Sequence, residues 1–262
     1  MGAFFEKIAE KCRSKRESKN PFWKGAFFIY DHRYLCYRDR LGEEIQFWRD
    51  HFKAGKRLPW MELLLDPQTR KKAFPAWILP FVDQIRARRE GDMAILDVGC
   101  GPLPPLAWGA EQSLFKLTAI DPLAEEYIKM HEKHNISFPF KPIKASAEYL
   151  SGIFPAENFD IVYSANALDH TVDVRKSIEN MHKVLKGDGF LALEGFVREG
   201  TKQHWGGLHR HDLVPVNGEL IHYDRRGHST NVSTGFKCIF QEQDGTELGD
   251  WYRMVFTKTL SY

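Results

Sequence analysis

The chain has 262 residues, 43% hydrophobic and 27% charged, with a formal net charge of +2. That length allows one large α/β domain with an appendage. The balanced charge gives no footing for nucleic acid as a partner, and no run of about 20 apolar residues is present to span a membrane. Four scattered cysteines, Cys12, Cys36, Cys100 and Cys238, form no Cys-x-x-Cys pair and read as reduced thiols in a cytoplasmic protein. The first residues place an apolar patch before basic residues, the wrong order for a secretory signal.

Residues 1–90 read as a mostly helical N-terminal cap or lid. Phe4, Phe5, Ile8 and Ala9 recur at helical spacing, and Ile45, Trp48 and Phe52 share one face of a second helix. The basic run Lys11 to Lys19 reads as a solvated helix face. Phe22, Trp23, Phe27, Phe28, Tyr30, Tyr34 and Tyr37 supply rings for a helical layer or a pocket lining. A further helix is expected from about Pro75 to Arg89.

From Ala94 the pattern alternates strands and helices, which predicts a parallel sheet over 91–262. Strands are expected at about 94–98, 115–120, 138–143, 159–163 and 190–196. A helix over 174–185 stops at Lys186-Gly-Asp-Gly189. The tail departs from alternation. Asn217-Gly218 marks a β-hairpin insertion near 211–223, and two last strands, about 236–242 and 251–259, are expected to flank a turn at Asp244-Gly245.

The stretch Ala94 to Leu106 carries the chemistry. Strand Ala94-Ile-Leu96 runs into Asp97-Val-Gly99-Cys-Gly101. Glycine has no Cβ, so backbone can approach a ligand there, and a following helix would offer free N–H groups. A dinucleotide fingerprint needs a third glycine at 104; Pro104 stands there, which disfavours a nicotinamide oxidoreductase. No Gly-Lys-Ser/Thr follows, which excludes a phosphate-binding P-loop.

Ligands of open parallel sheets sit beyond the carboxyl ends of the strands. Four such ends carry suitable groups: Asp97 with Gly99 and Gly101; Asp121, 20 residues after Gly101; Ala145-Ser-Ala147-Glu148; and Ser164 to Asn166. A carboxylate at Asp121 can accept from both hydroxyls of a ribose. The pattern D-x-G-x-G-P resembles motif I of the class I S-adenosylmethionine-dependent methyltransferases, over about residues 92–197. A narrower resemblance, on Asp97 to Leu103, Asp121-Pro-Leu-Ala124 with Tyr127, Asn166 to His170 and Gly207-Leu-His209, is to a type-11-like bacterial group associated with glycan or polysaccharide gene clusters. The helix bearing Phe47-Trp48-Arg49 fits that group too.

The resemblance implies a seven-stranded Rossmann-like sheet with helices on both faces. It implies S-adenosylmethionine as cofactor and S-adenosylhomocysteine as product, held by Asp97, Gly99, Gly101, Asp121, Ala147, Glu148 and Asn166. The acceptor is expected to be a hydroxyl on a small molecule such as a sugar or glycan precursor, with Asp169, His170 and His209 as catalytic candidates. A histidine beside an acid titrates near neutral pH and can serve as base. Seven of the eleven histidines lie between 170 and 228. The spacing of His204, His209 and His211 matches no standard metal motif, so no metal is expected. The segment after strand four lacks the Asn/Asp-Pro-Pro-aromatic motif of base N-methylation. A catalytically inactive S-adenosylmethionine-binding partner and an RNA methyltransferase are the alternatives. The oligomeric state is not legible.

Overall fold

The computed structural model describes residues 32–53, 55–246 and 248–259. The expected helix around Phe4 to Ala9, the basic run from Lys11 and the rings from Phe22 to Tyr30 lie outside the described residues, as do the side chains of Tyr34 and Tyr37. From Leu41 onward the chain forms one compact unit.

Helix α1 (His32–His51) is followed by α2 (Pro59–Leu65), α3 (Arg70–Ala73), a 3-10 turn (Ala76–Ile78) and α4 (Leu79–Arg88). Pro59 and Pro80 stand in the first turns of α2 and α4, where their missing N–H costs nothing. Then come β1 (Ala94–Val98), α5 (Ala107–Glu111), β2 (Lys116–Asp121), α6 (Ala124–Lys133), β3 (Ile143–Lys144) and a 3-10 segment (Ala147–Gly152). Strand β4 (Phe159–Ala165), a 3-10 turn (Leu168–His170), α7 (Val174–Val184), β5 (Leu185–Phe196) and α8 (Glu199–Lys202) follow. The chain closes with β6 (Asp212–Val216), β7 (Glu219–Tyr223), β8 (Ser229–Asn231), β9 (Phe236–Thr246) and β10 (Gly249–Lys258).

Seven strands form one sheet in the order β3-β2-β1-β4-β5-β10-β9. The first five are parallel, and β10 enters antiparallel to β5. This is a seven-stranded Rossmann-like sheet, the fold class expected from the sequence. Alternate residues of each strand face opposite layers. Ile95, Ile161, Tyr163 and Phe190 meet Phe81, Val82 and Ile85 of α4. Leu96, Val98, Val162 and Leu191 meet Val174, Ile178 and Met181 of α7. A third cluster joins Phe52, Met61, Leu64, Leu103, Tyr127 and Phe138, with Ile45 and Trp48 of α1 against it. The shared face expected for Ile45, Trp48 and Phe52 is thus buried beside the loops that follow β1 and β2. Arg70 is buried as well; it donates to Leu64 O at 2.6 Å, pairs with Glu111, and lies over the Phe138 ring.

Between β5 and β9 the chain inserts a separate antiparallel sheet, β6-β7-β8. Its hairpin turns at Asn217 and Gly218, with φ of 50° and 82°, the pair of positive values that this turn demands. The third strand, β8, had no sequence signal.

Two expectations are corrected. Strand three is only Ile143–Lys144, because Pro139 and Pro142 have no N–H to give a ladder. The last hairpin turns after Thr246, which pairs with Gly249. Asp244 and Gly245 lie inside β9, where Asp244 meets Arg253 at 2.6 Å, and Gly249 takes the bend with φ of 119°. Among the described residues no helix is long and apolar enough to cross a membrane.

Candidate active site

The turn after β1 is held in place by its neighbours. Gly99 and Cys100 both donate their backbone N–H to Ile120 O, at 2.9 and 3.0 Å. Gly99 has φ of 71°, and a Cβ there would sit 2.4 Å from Ala167 Cβ, so the side chain of Ala167, two residues past β4, closes on it. Gly101 has φ of 64° and open space where a Cβ would be. Helix α5 begins only at Ala107, so the N–H groups near the turn belong to the loop itself rather than to a helix end.

Asp121 closes this turn from the side. Its carboxylate accepts from Gly101 N at 3.0 Å and Leu123 N at 2.8 Å. Burial pushes its pKa up, the two backbone hydrogen bonds pull it back, Glu44 raises it and His170 lowers it; the balance lies at about 6. Asp97 is buried, and its Oδ2 has no hydrogen-bond partner. Burial first, and then the charges of Asp121 and Glu194, push its carboxyl well above the ordinary range. Cys100 beside it is a buried free thiol, raised chiefly by burial; a thiol held protonated is a packing group, not a nucleophile.

The other cofactor candidates line the same end of the sheet. Ala147 is buried. Glu148 Oε1 accepts from Val172 N at 2.7 Å and Asp173 N at 3.3 Å, while its second oxygen takes the Ser146 hydroxyl. Glu148 therefore holds the start of α7 with its carboxylate. Asn166 adopts φ of 46°. It donates its N–H to Glu194 O at 2.8 Å and accepts from Phe196 N at 3.2 Å through Oδ1, clasping the end of β4 to β5. Ser164 donates to Val98 O at 2.8 Å.

The catalytic candidates come together. Asp169 and His170 sit on the 3-10 turn after β4; His209 lies in the loop between α8 and β6. His209 Nδ1 is 2.7 Å from Asp169 Oδ2, His170 Nε2 is 3.0 Å from His209 Nδ1, and His170 Nε2 is 3.4 Å from Asp169 Oδ2. Arg210 N donates to Asp169 O at 2.9 Å and fixes the two loops together. Positive φ at His204, Trp205 and Gly207 gives the loop its curl. Burial lowers the His209 pKa, but the Asp169 hydrogen bond and charge, with Glu199 and Glu44, outweigh it and leave the imidazole above its ordinary value. His211 does not join this cluster. It pairs with His222 at 2.8 Å and contacts Thr171 O at 2.9 Å, and burial, then His222, pushes it down to about 4.

Sequence reasoning missed Glu43 and Glu44. Glu44 accepts from Trp48 Nε1 at 2.7 Å and acts electrostatically on both Asp121 and His209. A Cβ on Gly207 would lie 3.8 Å from Glu43 Oε2. Helix α1 thus carries two acids against the loop of His209. The only sequence signal was the i, i+4 spacing of Glu44 and Trp48. An open cleft of about 540 Å³ between Phe74–Trp77 and Glu194, Trp251 and Arg253 contains none of the candidates named from the sequence.

Residues 96–193 match the family described as "Methyltransferase domain". The matched methyltransferase segment runs from β1 into β5. It holds Asp97, both glycines, Asp121, Asp169 and His170, and it ends before His209. No curated protein matches the chain. Among solved structures, 1,6-didemethyltoxoflavin-N1-methyltransferase from Burkholderia thailandensis, with bound 1,6-didemethyltoxoflavin and S-adenosylhomocysteine, is similar at 15% identity, covering 87% of this chain and 90% of that one, TM-score 0.49. The PH0226 protein from Pyrococcus horikoshii OT3 is 14% identical over 74% of this chain and 93% of that one, TM-score 0.45. A SAM-dependent methyltransferase from Aquifex aeolicus is 15% identical over 73% and 97%, TM-score 0.41.

The cofactor that fits this site is S-adenosylmethionine. Asp97 offers a buried, unpartnered carboxylate oxygen, Gly101 leaves open space over its Cα, and Asp121 brings a second buried carboxylate to the end of β2.

Proposed function

We propose that this chain is an S-adenosylmethionine-dependent O-methyltransferase acting on a hydroxyl of a small molecule, such as a sugar or glycan precursor. The observation that carries the reading is the Asp169–His170–His209 cluster, whose Asp169 and His170 sit on the turn after β4, at the same end of the parallel sheet as Asp121 at the end of β2. When bound, S-adenosylmethionine supplies a methyl group on a positively charged sulfur and is left as S-adenosylhomocysteine.

The residues divide the work. Asp121 accepts the ribose hydroxyls, which a carboxylate does best when ionised. Asp97 Oδ2 takes a donor from the amino-acid end. Gly99 and Gly101 let the backbone come close. The segments of Ala147–Glu148 and Asn166 border the adenine and methionine ends. At the acceptor, His209 gives its Nδ1 proton to the Asp169 hydrogen bond. That fixes the tautomer and leaves Nε2 able to take the hydroxyl proton, as in other carboxylate–imidazole pairs. His170 packs edge-on against His209, with ring centroids 4.4 Å apart, and restrains its orientation. Glu43 and Glu44 of α1 border the acceptor side in this reading.

The test is transfer from methyl-labelled S-adenosylmethionine to a panel of sugars and nucleotide-sugars, with product cleavage to locate the methyl on oxygen or nitrogen. Methyl on oxygen supports the reading. Calorimetry without S-adenosylmethionine binding overturns it at the first step. Binding without transfer to any hydroxyl acceptor overturns the acceptor class and favours an inactive cofactor-binding partner. A nuclease-sensitive product turns it to RNA.

A further inference from the structure

We propose that Asp169, His170 and His209 form a binding site for one divalent transition-metal ion, Zn²⁺ or an ion of similar ligand preference, with positions left open for the acceptor's oxygen atoms. The role of the ion in catalysis rests on the methyltransferase reading; the site itself does not.

Three potential ligand atoms, one from each side chain, converge from two loops 40 residues apart. Asp169 Oδ2, His209 Nδ1 and His170 Nε2 form a triangle with edges of 2.7, 3.0 and 3.4 Å. A point roughly 1 Å above its plane lies about 2.1 Å from all three atoms, the usual zinc–nitrogen and zinc–oxygen distance. Two imidazoles and one carboxylate with free positions make the ligand set of catalytic zinc and of facial-triad sites.

A cation at that point would take the place of the N–H protons that the two imidazoles otherwise direct at Asp169. With both nitrogens deprotonated, one lone pair from each imidazole and one from the carboxylate converge on the ion. The surroundings agree. Asp169 is 5% exposed and both imidazoles 24%, so the ligands are anchored yet open on one side. Glu44 and Glu199 add negative charge around His209. The hydrogen bond from Arg210 N to Asp169 O fixes the loops before any ion arrives.

Such an ion would change how the acceptor is prepared. A hydroxyl bound to it is acidified, as zinc-bound water is brought to a pKa of about 7. The proton passes to solvent, the resulting alkoxide oxygen forms the new bond to the methyl carbon, and the carbon–sulfur electron pair stays on sulfur. His209 is then a ligand rather than the base. An acceptor with two neighbouring hydroxyls, as on a sugar ring, fills two open positions at once.

The experiment is titration of chelator-treated full-length protein with Co²⁺, followed by visible absorption, and with Zn²⁺, followed by calorimetry. One ion per chain is expected. His170→Ala and His209→Ala should each weaken binding at least about 100-fold, and His209→Gln should behave like His209→Ala while keeping the wild-type melting temperature. No saturable binding, or binding unchanged in both alanine variants, overturns the site. S-adenosylmethionine calorimetry on the same samples separates the two readings. Cofactor binding without ion binding removes the ion and keeps the methyltransferase; ion binding without cofactor binding does the reverse.

Discussion

The Asp121 carboxylate accepts the backbone N–H of Gly101 at 3.0 Å, so the acid at the end of β2 and the glycine turn after β1 form one unit. Disturbing either should be felt by the other.

Asp121 has a pKa raised from 3.8 to about 6 by burial. The folded state therefore holds this proton more tightly than the unfolded chain does. Its contribution to stability is fully present below pH 4 and is lost as pH rises through 6, a cost of about 3 kcal/mol. Asp121→Asn removes this titration. In the apo protein, the stability of wild type relative to the variant should fall between pH 4 and 6 and then level off, as read by denaturant melts. Cofactor affinity should run the other way, rising as Asp121 ionises, and Asp121→Ala should weaken S-adenosylmethionine binding by roughly 10- to 100-fold. Unchanged affinity by calorimetry would remove Asp121 from the ribose.

Gly99→Ala and Gly101→Ala should separate stability from binding. Both residues have positive φ, which costs a side chain about 1 kcal/mol or more. At Gly99 the new Cβ also meets Ala167 Cβ at 2.4 Å, so about 3 kcal/mol of stability should go. At Gly101 the Cβ meets open space; that variant should fold with a loss near 1 kcal/mol and fail mainly in cofactor binding. Thermal melts with and without S-adenosylmethionine check the pair.

Glu148→Ala strips the acceptor from two backbone N–H groups at the start of α7. Leaving them buried and unpaired should cost about 2–4 kcal/mol. Glu148→Gln keeps a side-chain oxygen for Val172 N and should recover most of that loss. Chemical denaturation midpoints measure both.

His170→Ala and His209→Ala should lower turnover by about 100-fold or more while leaving S-adenosylmethionine affinity within roughly threefold, because neither replaces a cofactor contact. Full activity of both variants on the true acceptor would show that the cluster has no part in the chemistry.

The sequence made the parallel half of the fold legible because each buried strand is a short apolar run ending in a polar residue. Asp97 and Asp121 could be picked out at those ends by spacing alone. Strand three was misread because Phe138 and Phe140 look like strand residues; Phe138 is committed instead to Phe52 and Arg70. The last turn was misplaced because Asp244-Gly245 is a strong local signal that the ladder to β10 overrides. At the site, Asp169, His170 and His209 were each visible as candidates. Their contact was not, since it depends on how a loop after β5 folds back across 40 residues. Glu43 carried no signal distinct from an ordinary charged helix face, and Glu44 only its i, i+4 spacing to Trp48.

The insertion between β5 and β9 sets His209 apart along the chain from the other proposed groups, Asp169 and His170 included. Those for the cofactor lie on β1 to β4, within the matched segment. The loop of His209 leads into a small sheet of its own. In the proposed reading that arrangement is a cassette: substitutions within about 199–232 would alter the acceptor side at His209 and leave the nucleoside grip in place.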